Sequence, residues 1–149
     1  MYQKILVPLD GSVRAEKILP HVKNLARLND AEVIFLQVVP PVIISDGYKG
    51  ILITESQEES NRKVEDALVY LSGIEGGFRE AGIQTHKQSM IGSVVNTIID
   101  ISRNENIDLI AMASHGRSGL SRVFYGSVAI GVLHAVDRPL LLIRSGDIS

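Results

Sequence analysis

Apolar residues along this chain fall in short dense runs, separated by longer stretches in which they recur every three or four positions. Ile5 to Leu9 is the first run, ended by Asp10-Gly11-Ser12. An unbroken apolar run of this length, bounded by turn residues, predicts a strand buried on both faces. Ala15, Ile18, Leu19, Val22, Leu25 and Ala26 then recur at helical spacing, with Ser12 placed to cap the helix. Glu32 to Val39 (EVIFLQVV) predicts a second strand, stopped by Pro40-Pro41. Val42 to Ile53 mixes Ile43, Ile44, Ile51, Leu52 and Ile53 with Ser45-Asp46-Gly47 and reads as a loop carrying apolar surface. Thr54 and Gln57 have the spacing of a capping box, which opens a long helix. Its stripe is Val64, Ala67, Leu68 and Leu71, and it runs through Phe78 to Ala81-Gly82.

Ile83 to Met90 is a third strand, more polar and so nearer a sheet edge. Gly92-Ser93 opens a helix with Val94, Val95, Ile98 and Ile101 on one face. Ile107 to Met112 (IDLIAM) is nearly all apolar and predicts a central strand. A polar glycine turn follows, then a helix from about Gly126-Ser127, then a last strand at Pro139 to Ile143. Strands alternating with helices imply an α/β fold: a parallel sheet covered on both faces, with right-handed crossovers. No repeat, low-complexity tract or linker divides the chain, so residues 1–149 are expected to form a single domain.

Composition narrows the function. The chain has 149 residues, 45% of them apolar and 21% charged, as in ordinary globular proteins. A net charge of −2 argues against a general nucleic-acid binder, which needs clustered positive charge, but not against one nucleotide held by backbone N–H groups. There is no cysteine, which removes disulfides, thiolate metal sites and cysteine nucleophiles. No apolar run approaches the roughly 18 residues of a membrane span, and the N-terminus lacks a signal-peptide pattern. The expectation is a cytoplasmic protein without membrane or nucleic-acid partners.

Open parallel sheets bind ligands beyond the carboxyl ends of their strands, where the strand order reverses. Polar punctuation lies at such ends: Asp10-Gly11-Ser12, Gly92-Ser93, and above all Ser114-His115-Gly116-Arg117-Ser118-Gly119. Glycine lets backbone approach a phosphate closely, and N–H groups at a helix start offer donors and the positive dipole end. Gly126-Ser127 opens such a helix, and the Ser127 hydroxyl could add a bond. Neither G-x-x-x-x-G-K-[ST] nor G-x-G-x-x-G is present, so this is not a P-loop or an ordinary dinucleotide site. His115 has no carboxylate near it in sequence and reads as a turn histidine. His21, His86 and His134 are scattered and suggest no metal site.

KILVPLDGS, EVIFLQVV, the segment at Gly92 and MASHGRSGLSRVFYGSVA together resemble the universal stress protein family, in its ATP-binding branch. That branch carries a glycine, two residues, a second glycine, nine residues, then glycine with serine or threonine. Here Gly116 takes the second position and Gly126-Ser127 close the motif, while Ala113 stands in place of the first glycine. If that position needed positive φ, alanine would strain it by about 1 kcal/mol; if it needs only close packing, alanine fits.

The resemblance implies a doubly wound, Rossmann-like five-stranded sheet of order 3-2-1-4-5. It implies ATP, or AMP or ADP, as ligand. Asp10 would lie by the adenosine and Val38 against the adenine, with Pro8 and Leu9 also at the nucleotide. Gly92 would approach the ribose or phosphates. Gly116, Arg117, Gly126 and Ser127 would surround the phosphates, and Met112, Ala113, Ser114, His115, Gly119 and Val128 would complete the nucleotide site. Asp10 either orders the first turn or helps hold Mg²⁺ through water. The family commonly dimerises through the last strand, here Leu140 to Ile143. Phosphoryl transfer needs a cationic clamp, metal ligands and a positioned nucleophile. The cluster offers mostly backbone donors and one arginine, so slow hydrolysis at most is expected. Two alternatives stay open: a weak ATPase, and a nucleotide-free dimeric interaction protein of the same fold.

Overall fold

The computed structural model describes residues 1–45, 52–54, 56–114 and 126–145. Five parallel strands form one sheet: β1 (Lys4–Pro8), β2 (Glu32–Val39), β5 (Thr85–Ile91), β6 (Leu109–Ser114) and β7 (Leu140–Arg144). Their spatial order is β5-β2-β1-β6-β7. Counting only these five, the order is 3-2-1-4-5, as the resemblance implies. Registers such as Val7↔Phe35 and Leu6↔Ile110 align the carboxyl ends of β2, β1 and β6 along one rim.

Two apolar layers hold helices on the sheet. On one face Ile5, Val7, Val33, Phe35 and Leu109 meet Val22 and Ala26 of α1 (Leu19–Asn29) and Leu71 and Phe78 of α2 (Gln57–Glu80). Phe35 and Phe78 pack edge to face, with centroids 4.9 Å apart. On the other face Leu6, Ile34, Leu36 and Ile110 meet Ile98 and Ile101 of α3 (Val94–Asn104) and Ala129 and Val132 of α4 (Ser127–Ala135). The alternation of side chains along each strand sorts residues between the layers. Gly131 sets the spacing of α3 and α4: a Cβ there would lie 2.7 Å from Val95 Cγ2.

Three details depart from the sequence reading. Within 42–53, Ile43–Ser45 (β3) and Leu52–Thr54 (β4) pair as an antiparallel two-stranded ribbon rather than forming a bare loop. Their β-branched and apolar residues favour extended backbone. The cap of α2 is Ser56, whose Oγ accepts from Glu59 N, and not Thr54, which belongs to β4. Ser12 does accept from Ala15 N, but what it opens is a 3₁₀ turn over Ala15–Ile18, and the α-helix starts at Leu19 with Pro20 in its first turn. Other boundaries move by one or two residues. The more polar β5 lies at one sheet edge, β7 at the other, and β6 is interior.

Buried Glu75 pins α2 to β5. It accepts from Thr85 Oγ1 at 2.6 Å and Lys87 Nζ at 3.1 Å, with Arg79 at 3.2 Å. Burial pushes its carboxyl up, but the Thr85 and Lys87 bonds and the two cations outweigh that and hold it below the usual range.

Candidate functional site

The chain leaves β1 for β2 on one side, and later returns to β6 on the other. A cleft of about 580 Å³ opens at this reversal, beyond the carboxyl ends of the strands. Its floor is Pro8, Leu9 and Asp10 after β1, Leu36 to Pro40 at the end of β2, and Met112, Ala113 and Ser114 of β6. One wall is Lys63, Asp66, Ala67 and Tyr70 of α2; the opposite wall is Val94 and Ile98 of α3 with Val128 and Ala129 of α4. Gly11, Ser12, Arg14 and Ala15 close the β1 end.

The turn after β1 is built by short polar side chains. Leu9 N still bonds Leu36 O at 2.8 Å, so the chain leaves the sheet only at Asp10. Asp10 Oδ1 then accepts from Ser12 N at 2.9 Å, and Gly11 takes φ +84°, which the turn requires. One Asp10 oxygen is thus engaged in shaping the backbone. Among the described residues no group of three or more His, Asp or Glu side chains is placed to hold a metal. An Mg²⁺ at Asp10 would take most of its ligands from water and ligand phosphate, as Mg²⁺ readily does.

The far end is built from β6 and α4. Ala113 lies in β6 opposite Ile143 and is not among the positive-φ residues. Alanine in place of the motif's first glycine therefore carries no backbone strain. Gly126 does need to be glycine: its φ +76°, ψ 147° is closed to residues with a Cβ. It turns the chain into α4, whose first N–H groups lack intrahelical partners. Ser127 is the first helical residue, not the cap.

Two polar atoms in this cleft are buried and bonded to nothing: Ser114 Oγ and Gln37 Oε1. Only two other side-chain atoms among the described residues share that condition, Ser89 Oγ and Glu105 Oε2. A buried unpaired polar atom costs about 1–3 kcal/mol, and native proteins seldom keep one without a use. At the mouth, Tyr70 OH donates to Glu16 Oε2 at 2.9 Å. Burial and then the Glu16 and Asp10 carboxylates push its phenol well above the ordinary range, so it stays a neutral donor.

Of the residues singled out in the sequence, Pro8, Leu9, Asp10, Val38, Met112, Ala113, Ser114 and Val128 all line this one cleft. Gly126 and Ser127 stand just behind Val128, at the start of α4. Gly92 is not among the residues lining the cleft; its N–H bonds Val39 O, and a Cβ there would lie 2.9 Å from Thr97 Oγ1. His115, Gly116, Arg117 and Gly119 lie outside the described residues. Sequence reasoning missed Gln37, Arg14 and the α2 wall. Gln37 had a signal, being the one polar residue inside IFLQVV. Lys63, Asp66 and Tyr70 had none, because only the packing of α2 brings them to the rim.

The sequence model of the universal stress protein family matches residues 1–144. This chain belongs to the universal stress protein family. Universal stress protein MJ0577 of Methanocaldococcus jannaschii is 31% identical over 155 residues, covering 97% of this chain and 96% of that protein. Its solved structure superposes with a TM-score of 0.76 at 28% identity, covering 97% and 96% of the two chains. Universal stress protein YxiE of Bacillus subtilis is 28% identical, covering 97% of this chain and 100% of the relative. The Archaeoglobus fulgidus universal stress protein in complex with dAMP shares the fold, with a TM-score of 0.68 at 21% identity over 95% and 98% of the chains. No described helix of this universal stress protein is long and apolar enough to cross a membrane.

Proposed function

We propose that this universal stress protein binds an adenine nucleotide, foremost ATP, in the cleft beyond β1, β2 and β6, and acts as a stress or signalling module whose contacts follow its nucleotide state. The observation that carries this is the largely apolar cleft of about 580 Å³ at the reversal point of the sheet, lined by Pro8, Leu9, Asp10, Val38, Met112 and Val128. An apolar cleft with a few convergent polar atoms suits a planar base with a polar tail. Val38, Met112 and Val128 offer the apolar contact. The α4 N-terminus, turned by Gly126, offers donors and a positive dipole end to phosphate. Asp10 lies where it could meet the ribose or a water of Mg²⁺.

Residues 1–149 act as one such domain, in the cytoplasm, with at most slow hydrolysis. The protein pairs with a second copy through β7. That strand is outermost in the sheet, and Leu140 to Ile143 remain half-buried along it. Bare apolar edges favour strand addition.

Purified protein, denatured and chromatographed for released small molecules, tests the reading. Bound ATP supports it, and ADP or AMP points to turnover. Protein that is empty and fails to bind added Mg-ATP overturns it and leaves a nucleotide-free interaction module.

A further inference from the structure

We propose that the segment Gly11 to Lys17, between β1 and α1, is a strap over the β1 end of the cleft, latched shut by the hydrogen bond from Tyr70 to Glu16. This rests on the nucleotide reading above and names a regulation of that site: the latch sets how fast nucleotide enters and leaves. Gly11, Ser12, Arg14 and Ala15 of the strap close the β1 end of the cleft. The strap is fixed where it begins and ends. Leu9 N bonds Leu36 O at 2.8 Å, and Ile18 is fully buried. Between them no residue is buried. The bonds within it are local. Ser12 N reaches Asp10 Oδ1, Ala15 N reaches Ser12 Oγ, Glu16 N reaches Ser12 O and Lys17 N reaches Arg14 O. The last two are long, at 3.3 and 3.2 Å, in keeping with the poorer bonding of a 3₁₀ turn. A segment with exposed backbone and no buried side chain opens at small cost.

The post that holds it is rigid. Tyr70 stands on α2 beside fully buried Leu71, and Glu75 pins the same helix to β5. Its phenol donates to Glu16 Oε2 at 2.9 Å and so ties the strap to α2. The carboxylate acceptor makes this bond charge-assisted, stronger than the neutral bonds inside the strap. Burial and the Glu16 carboxylate keep the phenol protonated and able to donate. Glu16 itself is not among the residues lining the cleft, so the latch acts on the strap. Ligand passes the β1 end only while the strap is open. Losing the latch eases opening by the same factor in the free and the occupied protein, so both rates rise and their ratio stays fixed. A direct ligand contact behaves otherwise, because its loss speeds release alone. A purely structural bond would lower the melting temperature and leave both rates unchanged.

Stopped-flow binding of Mg-mant-ATP, with release measured by a chase of unlabelled Mg-ATP, tests this on wild type, Tyr70→Phe and Glu16→Ala. Phenylalanine keeps the ring that packs on the core and loses only the hydroxyl. Tyr70→Phe is expected to raise the association and release rates together by about tenfold, the scale of one hydrogen bond to a charged group, with Kd held within about twofold. Glu16→Ala is expected to do the same, and the double variant to match either single one, because all three remove one bond. A folded Tyr70→Phe with wild-type rates overturns the inference. So does a rise in release alone with a weaker Kd, which makes Tyr70 a ligand contact, and so do single effects that add in the double variant. If Tyr70→Phe fails to fold, Glu16→Ala removes the same bond from the partly exposed strap and decides the matter. Wild-type protein that binds no Mg-ATP at equilibrium overturns the cleft reading together with this one. Nucleotide binding whose rates are indifferent to both residues overturns only this one.

Discussion

Replacing Ser114 with alanine should stabilise the ligand-free protein while weakening its hold on nucleotide. Ser114 is 2% exposed at the end of β6, and its Oγ has no partner. The side-chain bond that reaches this residue, from Ser145 Oγ at 2.5 Å, goes to the main-chain carbonyl and survives the change. Deleting an unpaired buried hydroxyl removes a desolvation cost of about 1–3 kcal/mol. Taking about 1 kcal/mol, a chain of this length should melt about 2–4 °C higher. With nucleotide the sign reverses. A hydroxyl bonded to a charged ligand contributes about 1.5–3 kcal/mol, so affinity should fall about tenfold or more. At nucleotide a hundredfold above the wild-type Kd, ligand stabilisation of about 2.7 kcal/mol would drop to about 1.4 kcal/mol. Thermal melts with and without Mg-ATP read both effects on one sample. A ligand-free variant melting more than about 2 °C below wild type would show the hydroxyl already engaged. An unchanged nucleotide-induced shift would show that it does not face the ligand. Either result refutes the reasoning.

Three further outcomes follow from the packing. Glu75→Ala should cost about 2–4 kcal/mol by urea denaturation, mainly from the stranded Thr85 and Lys87 groups; exposed Arg79 adds little. Because the folded Glu75 carboxyl lies below its unfolded value of about 4.3, this contribution is complete above that pH and is lost as pH falls through the folded value. The gap between wild type and variant should therefore narrow in acid, and a gap unchanged to pH 2 would contradict the network. Gly131→Ala should destabilise by about 1–2 kcal/mol, since overpacking against Val95 exceeds the gain in helix propensity. Gly73→Ala, in the exposed middle of α2 with nothing within 4 Å of the new methyl, should instead stabilise by about 0.5–1 kcal/mol in the same assay.

Strands and helices of this chain were legible because each periodicity is local. A dense apolar run has to be a strand buried on both faces, and a stripe at helical spacing has to lie on a layer. The first residue of α2 was misplaced because Thr54 and Ser56 both offer a capping hydroxyl within two positions. Pairing of β3 with β4 settles which one is free to cap. The turn at Asp10, the end of β6 and the entry to α4 were likewise visible as polar and glycine residues at strand and helix boundaries. Tertiary structure alone decided what meets there. The order of the sheet brings β1, β2 and β6 side by side, and the long α2 carries Lys63, Asp66 and Tyr70 across the face to the rim. No local pattern encodes that meeting. It likewise took the assembled sheet to show that Ala113 sits unstrained, that a Cβ at Gly92 would crowd Thr97, and that Gln37 Oε1 and Ser114 Oγ are left without partners. Propensity acts over a few residues, whereas a cleft and its unpaired atoms are defined by neighbours that only folding brings together.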